Sequence, residues 1–325
     1  MGFQLNTFSF FNSPFSICFM DVFLNNIRKT YNKGSIVAVE DVSFSVGKGE
    51  LFGLIGPDGA GKTSIFRMLT TLLLPDSGNG SVTGFDIVKD YKKIRNTVGY
   101  MPGKFSLYQD LSVEENLNFF ATIFNTTVKA NYDLIKDIYV QIEPFKNRRA
   151  GKLSGGMKQK LALCCSLIHR PTVLFLDEPT TGVDTVSRKE FWDMLKRLKK
   201  EGITILVSTP YMDEANLCER IALMQNGKIL SVDTPQNITN QYQSTLYAIK
   251  TMDMSGLLKE LRNNELVKSC YSFGEYHHIS LKVESADNHS KLIASLEKTG
   301  HTDIECKKID ASIEDCFINL MEEKK

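Results

Sequence analysis

The sequence predicts an α/β fold in which a parallel sheet is covered by helices on both faces. Three short apolar runs carry this prediction: Leu51–Ile55, Val173–Leu176 and Ile203–Val207. None of them alternates as a half-exposed strand does, so we expect each to be buried on both sides. Segments with helical spacing of apolar residues separate these runs, among them Ser187 to Lys200. Buried strands that alternate with helices are typical of a parallel sheet.

The composition fits one large domain with a smaller companion and does not indicate a nucleic-acid-binding protein. The chain has 325 residues, of which 42% are hydrophobic, enough for a sizeable buried core. Its 39 basic and 38 acidic residues nearly balance, giving a formal charge of +1. Since no general positive charge attracts the chain to nucleic acid, we expect no nucleic-acid partner. The seven cysteines are irregularly spaced without a CxxC pair, which favours reduced thiols over disulfides or a zinc site.

Residues 1–19 are predicted to be an extension outside the folded domains, either disordered or the product of a start codon placed too early. The phenylalanine-rich run from Phe8 to Leu24 contains Asn12 and Pro14, and it is shorter than the roughly 20 apolar residues of a spanning helix. It also lacks the basic start of a signal peptide. An early start would make Met20 the true first residue; an anchor on a membrane surface is a third alternative.

Turn-forming residues from Pro235 to Gln243 mark a boundary, so we assign residues 20–240 to a large domain and 241–325 to an accessory α/β domain. In the accessory domain we expect His277 and His278 to be surface residues rather than ligands. The predicted helices of the large domain, besides the one named above, are Ser64–Leu74, Val113–Phe124 and Leu153–Ile168. The predicted accessory strands are Leu246–Lys250, His278–Val283 and Ile304–Ile309, and its helices lie around Gly256–Asn263 and Asn288–Thr299.

The glycine-rich turn after the first apolar run predicts a phosphate-binding loop. Residues 56–63 read GPDGAGKT, which fits GxxxxGK followed by Ser or Thr, between a strand and a helix. Glycines let backbone N–H groups surround phosphate oxygens, and the helix N-terminus adds its dipole. Lys62 would neutralise the β- and γ-phosphates of ATP, and the Thr63 hydroxyl would hold Mg²⁺. The residues assigned to ATP here are Gly56, Pro57, Asp58, Gly59, Ala60, Gly61, Lys62, Thr63 and Ser64.

Two adjacent acids after the run Val173–Leu176 are the predicted partners of this loop. Asp177 ends a buried strand, where its charge requires a cation, and Mg²⁺ is the natural one. Glu178 would act as the catalytic base that polarises a water for attack on the γ-phosphate. Adjacent acids at a strand end, taken alone, are more often an exposed turn or a helix cap.

A second glycine turn, at Ser154, Gly155 and Gly156, begins the helix predicted to end at Ile168. Backbone N–H groups at a helix start form a second phosphate site. Two phosphate-binding turns roughly a hundred residues apart imply that the second serves the nucleotide of another molecule. A lone Ser-Gly-Gly would be only a turn or a helix cap.

These motifs together resemble those of the ATP-binding subunits of ABC transporters. Gly56–Thr63 resembles Walker A, Leu153–Lys160 the ABC signature, Val173–Glu178 Walker B and Thr180–Asp184 the D-loop, in the family's order and spacing. The resemblance implies a P-loop NTPase of the ABC type, with a parallel-sheet core, an antiparallel β subdomain and a helical subdomain. It places Tyr31 where the family has an aromatic residue that stacks on adenine; an ordinary strand tyrosine is the other interpretation.

A finer resemblance is to drug-efflux and other export ATPases. Asp58, the Met157-Lys-Gln form of the signature, Tyr211–Ala215 and the ending Ser312–Phe317 are similar to that branch. The resemblance implies two partners: a second ATPase domain bound head to tail, in a homodimer or heterodimer, and a separate membrane permease. It implies a peripheral location on the cytoplasmic face of the cell membrane.

Two positions depart from the family pattern. Gly103 stands where the family has a glutamine that contacts Mg²⁺ and the attacking water, and Pro210 stands where it has a histidine that contacts the γ-phosphate. Losing one well-placed polar group in such a site costs on the order of 10²–10³ in rate. We therefore expect tight MgATP binding with weak hydrolysis, although this branch could also function without these side chains. A regulatory subunit paired with a second, complete ATPase is the alternative function; a soluble ABC ATPase of translation or DNA repair is disfavoured because the chain has neither two ATPase domains nor a coiled-coil insertion.

Overall fold

The computed structural model describes residues 20–323, which form two compact units divided between Pro235 and Gln236. The predicted domain boundary was residue 240. The predictions made for residues 1–19 lie outside the described residues. Within the described part of the chain, no helix is long and apolar enough to cross a membrane.

The first unit contains ten strands and six helices within its described residues. Its strands are β1 Met20–Tyr31, β2 Ile36–Gly47, β3 Leu51–Ile55, β4 Ser77–Val82, β5 Phe85–Asp86, β6 Val98–Met101, β7 Val173–Asp177, β8 Thr204–Thr209, β9 Arg220–Gln225 and β10 Lys228–Asp233. Its helices are α1 Lys62–Leu69, α2 Tyr91–Thr97, α3 Val113–Ile123, α4 Tyr132–Tyr139, α5 Gly155–Leu167 and α6 Thr185–Lys200.

A six-stranded sheet in the order β10-β9-β3-β8-β7-β6 forms the centre of the first unit. Strands β6, β7, β8, β3 and β9 are parallel, and β10 is an antiparallel edge strand. Every residue of β3, β7 and β8 is buried, as expected for strands of a parallel sheet covered on both faces. The predicted fold class is therefore confirmed by the sheet.

A second, antiparallel sheet in the order β2-β1-β4-β5 packs through its apolar side chains against the same core. The rings of Phe44 and Phe52 stack with centroids 5.4 Å apart, joining β2 to β3. On α1, Phe66 meets Phe175 of β7 edge to face at 5.8 Å. These contacts fix α1, and with it the loop that precedes α1, against the carboxyl ends of the parallel strands.

The second unit contains four strands and four helices within its described residues. Its sheet, in the order β12-β13-β11-β14, is fully antiparallel. The chain order β11-α8-β12-β13-α9-β14 with this sheet is the split βαβ arrangement of ferredoxin-like folds. The elements are α7 Pro235–Asn240, β11 Leu246–Lys250, α8 Met254–Asn263, β12 Val267–Phe273, β13 Tyr276–Leu281, α9 Ala286–Lys298, β14 Glu305–Ile309 and α10 Ile313–Glu323.

Two sequence-based expectations are wrong. The helix predicted to run to Leu74 ends at Leu69, because Thr71 adopts a left-handed conformation with φ of +62°. Arg95 holds this turn by donating to the Thr71 hydroxyl at 2.9 Å and to its carbonyl at 2.8 Å. His277 is buried rather than at the surface, since it shares a face of β13 with Ile279, a core residue.

Candidate active site

The loop between β3 and α1 has a backbone that requires glycine at particular positions. Gly59 and Gly61 have φ angles of +78° and +105°. A Cβ added at Gly56 would lie 2.2 Å from the carbonyl oxygen of Met224, and one at Gly61 would lie 2.2 Å from that of Ala38. The loop is therefore pressed against neighbouring backbone, which fixes its shape.

Lys62 lies at the centre of the site and is almost fully buried, with 3% of its side chain exposed. Its Nζ donates to the carbonyl oxygens of Gly56 at 2.7 Å and Pro57 at 3.0 Å. It also lies 3.3 Å from Oε1 of Glu178. Loop, cation and predicted base are thus in direct contact, and a buried ammonium in such a place requires these partners.

Asp177, at the end of β7, faces the start of α1. Its Oδ1 accepts from the Ser208 hydroxyl at 2.6 Å and from the Thr63 hydroxyl at 3.2 Å. Among residues 20–323, no lysine or arginine forms an ion pair with this buried carboxylate, which is 2% exposed. Burial, with the nearby Asp177 charge, raises the pKa of Tyr100 to about 12, so that this phenol stays neutral.

The donor set of Thr63 and Asp177 fits Mg²⁺, a hard cation that binds few protein oxygens and completes its shell with phosphate and water. In the described part of the chain, no group of three or more His, Cys, Asp or Glu residues could hold a metal without such help. A cation at this position would take most of its ligands from the substrate.

Glu178 adopts a left-handed backbone conformation, with φ of +49°. Such a conformation costs about 1–3 kcal/mol for a residue with a Cβ and is frequent at functional sites. Its N–H donates to the carbonyl and the hydroxyl of Ser208, each at 3.0 Å. These bonds hold the turn that aims the carboxylate at Lys62.

The two positions that depart from the family pattern, Gly103 and Pro210, lie beside this centre. A Cβ at Gly103 would lie 3.0 Å from the carbonyl oxygen of Asp177 and 3.7 Å from Cβ of Glu178. Pro210 directly follows β8, where the carbonyl of Thr209 accepts from the N–H of Gly56 at 3.2 Å. Neither position presents a polar side chain to the site.

Comparisons with known proteins identify the family. Residues 39–181 match the family model described as ABC transporter. The chain is 35% identical over 271 residues to the doxorubicin resistance ATP-binding protein DrrA of Mycobacterium tuberculosis, an alignment covering 82% of this chain and 80% of DrrA. This chain belongs to the ATP-binding proteins of the ABC transporter family. The resemblance seen in its motifs, to the drug-efflux and export type, is confirmed.

Two further matches each cover about two thirds of this chain. The chain is 45% identical over 218 residues to YbhF of Escherichia coli, a probable multidrug ABC transporter ATP-binding protein, but the match covers 66% of this chain and only 38% of YbhF. A dimeric ATP-binding cassette solved with ADP and phosphate after hydrolysis aligns with a TM-score of 0.60 at 25% identity, over 66% of this chain and 98% of the cassette.

The signature turn and Tyr31 lie on exposed or half-exposed surface. Ser154 caps α5 by accepting from the N–H of Met157 at 3.4 Å, and Gly155 is exposed beside it. Tyr31, at the end of β1, is half-buried, and its hydroxyl lies 3.0 Å from that of Ser64 in α1. Both positions agree with the roles that the sequence predicts for them, and these roles stay predictions.

Sequence reasoning missed Ser208, whose hydroxyl donates to the Asp177 carboxylate and accepts from the backbone N–H of Glu178. Ser208 pairs with Asp177 across β7 and β8, so its role depends on strand register. A serine directly after the run Ile203–Val207, in a fully buried strand, was the signal that could have indicated it.

Proposed function

We propose that this chain binds MgATP at its phosphate loop and hydrolyses it as the motor subunit of an exporter whose membrane permease is a separate chain. The observation that carries the proposal is the convergence of a buried Lys62, the Thr63 and Asp177 oxygens and the Glu178 carboxylate at one end of the parallel sheet. The names of DrrA and YbhF, a drug-resistance and a probable multidrug protein, support export.

In this proposal the phosphates bind along residues 56–61, where the helix N-terminus and the Lys62 ammonium supply positive charge. Mg²⁺ would be held by Thr63 and Asp177 and would offset the charge of the phosphate oxygens. Tyr31 would stack on the adenine ring. Its hydroxyl is already positioned by Ser64, which keeps the ring next to the phosphate loop.

Glu178 would orient and polarise the attacking water. Its ion pair with Lys62 is a contact for which a phosphate would compete, since the phosphate attracts the same ammonium. Nucleotide binding would thereby release the carboxylate from the lysine and leave it free to accept a proton. Burial of the site strengthens these interactions, because it lowers the local dielectric.

A second copy of an ABC ATPase domain would complete the site. The exposed turn of Ser154, Gly155 and Gly156 offers backbone N–H groups at the start of a 13-residue helix, suited to the γ-phosphate bound by a partner. Head-to-tail closure would bury one ATP between each phosphate loop and the opposite turn. ATP binding would drive closure, and hydrolysis would let the pair reopen.

An apolar groove next to the Gly103 loop is the proposed contact with the permease. Its volume is about 300 Å³. The Lys158 ammonium on α5 lies 5.5 Å from the Phe105 ring, so the groove is in contact with the helix that carries the signature turn. A permease segment bound in the groove would therefore affect the position of the signature turn. Lining residues include Phe105, Leu107, Phe120, Phe124, Gln159 and His169.

A second candidate function, a regulatory subunit with slow turnover, is favoured by Gly103 and Pro210. Neither residue offers a donor or base, so the alignment of the water rests on Glu178 alone among the predicted catalytic groups. In that case the partner would be a different ATPase with a complete site, and the Ser154 turn would serve that site.

The test is steady-state MgATP hydrolysis by the purified chain, with Glu178→Gln as the control. Turnover by the unmodified chain that is absent in Glu178→Gln would support a motor subunit. Tight binding of MgATP with turnover no greater than that of the control would contradict the motor and support the regulatory function. Absence of MgATP binding, measured by fluorescence of a labelled ATP, would refute both.

A further inference from the structure

A buried carboxylate to which the sequence analysis gave no role, Glu214 in the segment Tyr211–Ala215, links the strand end at Thr209 with the segment that follows Glu178. Glu214 lies in a short helical turn after β8 and is 1% exposed. One of its oxygens accepts from the Thr180 hydroxyl at 2.8 Å, and the other accepts from the Thr209 hydroxyl at 2.5 Å. Both threonines are buried, so these charge-assisted bonds are shielded from water and strong.

Each threonine belongs to a segment that carries a functional group. The Thr209 carbonyl accepts from the N–H of Gly56, at the start of the phosphate loop, and its hydroxyl also accepts from the N–H of Tyr211 at 3.1 Å. Thr180 lies two residues after Glu178. Glu214 therefore connects the phosphate loop, through the turn at Pro210, with the segment that follows the predicted base.

Two successive turns extend this connection. The N–H of Thr181 donates to the Glu178 carbonyl, and the N–H of Val183 donates to the Thr180 carbonyl, each at 3.2 Å. Thr180 thus belongs to both the turn that begins at Glu178 and the turn that leads to Asp184. A displacement of Glu214 would move both turns together.

Arg188 approaches this cluster through two long ion pairs, one of them from Nη1 to Asp213 at 3.6 Å. Nε of Arg188 lies 3.7 Å from Glu214, is buried and has no hydrogen-bond partner among the described residues. The guanidinium of Arg188 is positioned by the ring of Tyr211, 4.2 Å away. A shift of less than an ångström would bring this Nε within hydrogen-bond distance of Glu214.

We propose that Glu214 is a positioning residue that transmits occupancy of the phosphate loop to residues 178–184. At the position of the family histidine, Pro210 has neither a side-chain donor nor an N–H. The turn that it occupies is held instead by Thr209 and Glu214. This inference rests on the proposed binding of MgATP, because occupancy of the loop is its input.

The test is hydrogen–deuterium exchange of the full chain with and without a non-hydrolysable MgATP analogue, at a concentration where light scattering shows a monomer. In the unmodified protein, exchange should slow in residues 56–63 and in residues 178–184. In Glu214→Gln, the slowing of exchange in residues 56–63 should persist, whereas the slowing in residues 178–184 should fall at least threefold. Glu219→Gln is the matched control, since Glu219 lies five residues away and bonds Lys199 and the N–H of Leu51, at the opposite end of β3 from the phosphate loop.

Equal slowing of residues 178–184 in Glu214→Gln and the unmodified protein would overturn the inference, as would an equal loss in the Glu219 control. No slowing of residues 56–63 in the unmodified protein would contradict the proposed function itself. If Glu214→Gln does not fold, Thr180→Val carries the test, because it removes one hydroxyl from the cluster and keeps the side-chain shape.

Discussion

At the scale of single residues, Lys62 combines burial with three oxygen partners and is the residue on which nucleotide affinity should depend most. We predict that Lys62→Met weakens MgATP binding by about 10- to 100-fold, because charge-assisted hydrogen bonds contribute roughly 1.5–3 kcal/mol each. Equilibrium fluorescence titration with a labelled ATP measures this change. Lys189→Met, at an exposed lysine on α6, should bind as the unmodified protein does. Equal affinity in both variants would mean that the phosphates bind elsewhere.

We predict that Gly103 and Pro210 keep turnover at this site slow. Replacing both, with Gly103→Gln and Pro210→His, should raise MgATP turnover by at least tenfold, since each restored polar group is worth on the order of 10²–10³ in favourable geometry. The gain should stay below that ideal because the new Cβ at residue 103 lies only 3.0 Å from the Asp177 carbonyl and requires a small shift. Turnover is measured by phosphate release.

The same double substitution combined with Glu178→Gln should show no gain. If the double variant binds MgATP normally yet hydrolyses it no faster, the weak-site interpretation is wrong and this branch of the family does not need the two side chains.

At the scale of elements, the contact between the phosphate loop and β9 should limit which substitutions the fold accepts. A Cβ at Gly56 would lie 2.2 Å from a backbone carbonyl of β9, so Gly56→Ala must separate two paired strands. We predict a loss of about 1–3 kcal/mol in the free energy of unfolding, the usual range for overpacking. Urea unfolding followed by circular dichroism measures it.

Gly59→Ala is the matched comparison for this loop. A Cβ at Gly59 has no atom within 4 Å, and only its φ of +78° opposes the change. We expect it to lose about 1 kcal/mol, from backbone conformation alone. A smaller loss for Gly56→Ala than for Gly59→Ala would show that the strands give way easily and that the loop is less rigid than its contacts indicate.

The elements that sequence patterns predicted best are those buried on both faces. Runs such as Leu51–Ile55 have no polar alternation, so their character is visible without knowledge of their neighbours. Strand β9 was not predicted, because its ends are the polar residues Arg220 and Gln225, and the partners of Arg220, Glu50 and the Ser45 carbonyl, lie far away in the sequence. The position of the glycine-rich loop between β3 and α1 was predicted correctly, since its pattern is local, and its contacts with ATP stay predictions.

The parts of the site that the sequence did not predict depend on pairing between distant segments. The Ser208 hydroxyl bonds Asp177 because β7 and β8 pair in the sheet. Glu214 accepts from Thr180, which is distant in the sequence, only in the folded structure. No local pattern encodes such contacts. His277 was misplaced for the same reason, since the face of β13 that is buried is decided by α8 and α9, not by β13 itself.

At the scale of the whole molecule, each unit has a hydrophobic core of its own. The core of the second unit is built around Ile249, Leu257, Ile279 and Leu292. We predict that residues 236–323 fold as a separate chain with cooperative thermal unfolding, because a domain with its own core is expected to fold alone. Residues 20–235 should retain MgATP binding without them. Calorimetry and labelled-ATP titration of the two fragments measure these outcomes; an unfolded second fragment would contradict the division.

The left-handed backbone of Glu178 has a consequence for efforts to improve this protein. Glycine adopts φ of +49° without penalty, so Glu178→Gly would relieve the backbone strain, but it would also leave the buried Lys62 ammonium without its carboxylate partner. Strain and ion pair therefore offset each other at this position. A library screened for heat resistance alone should gain little by changing it.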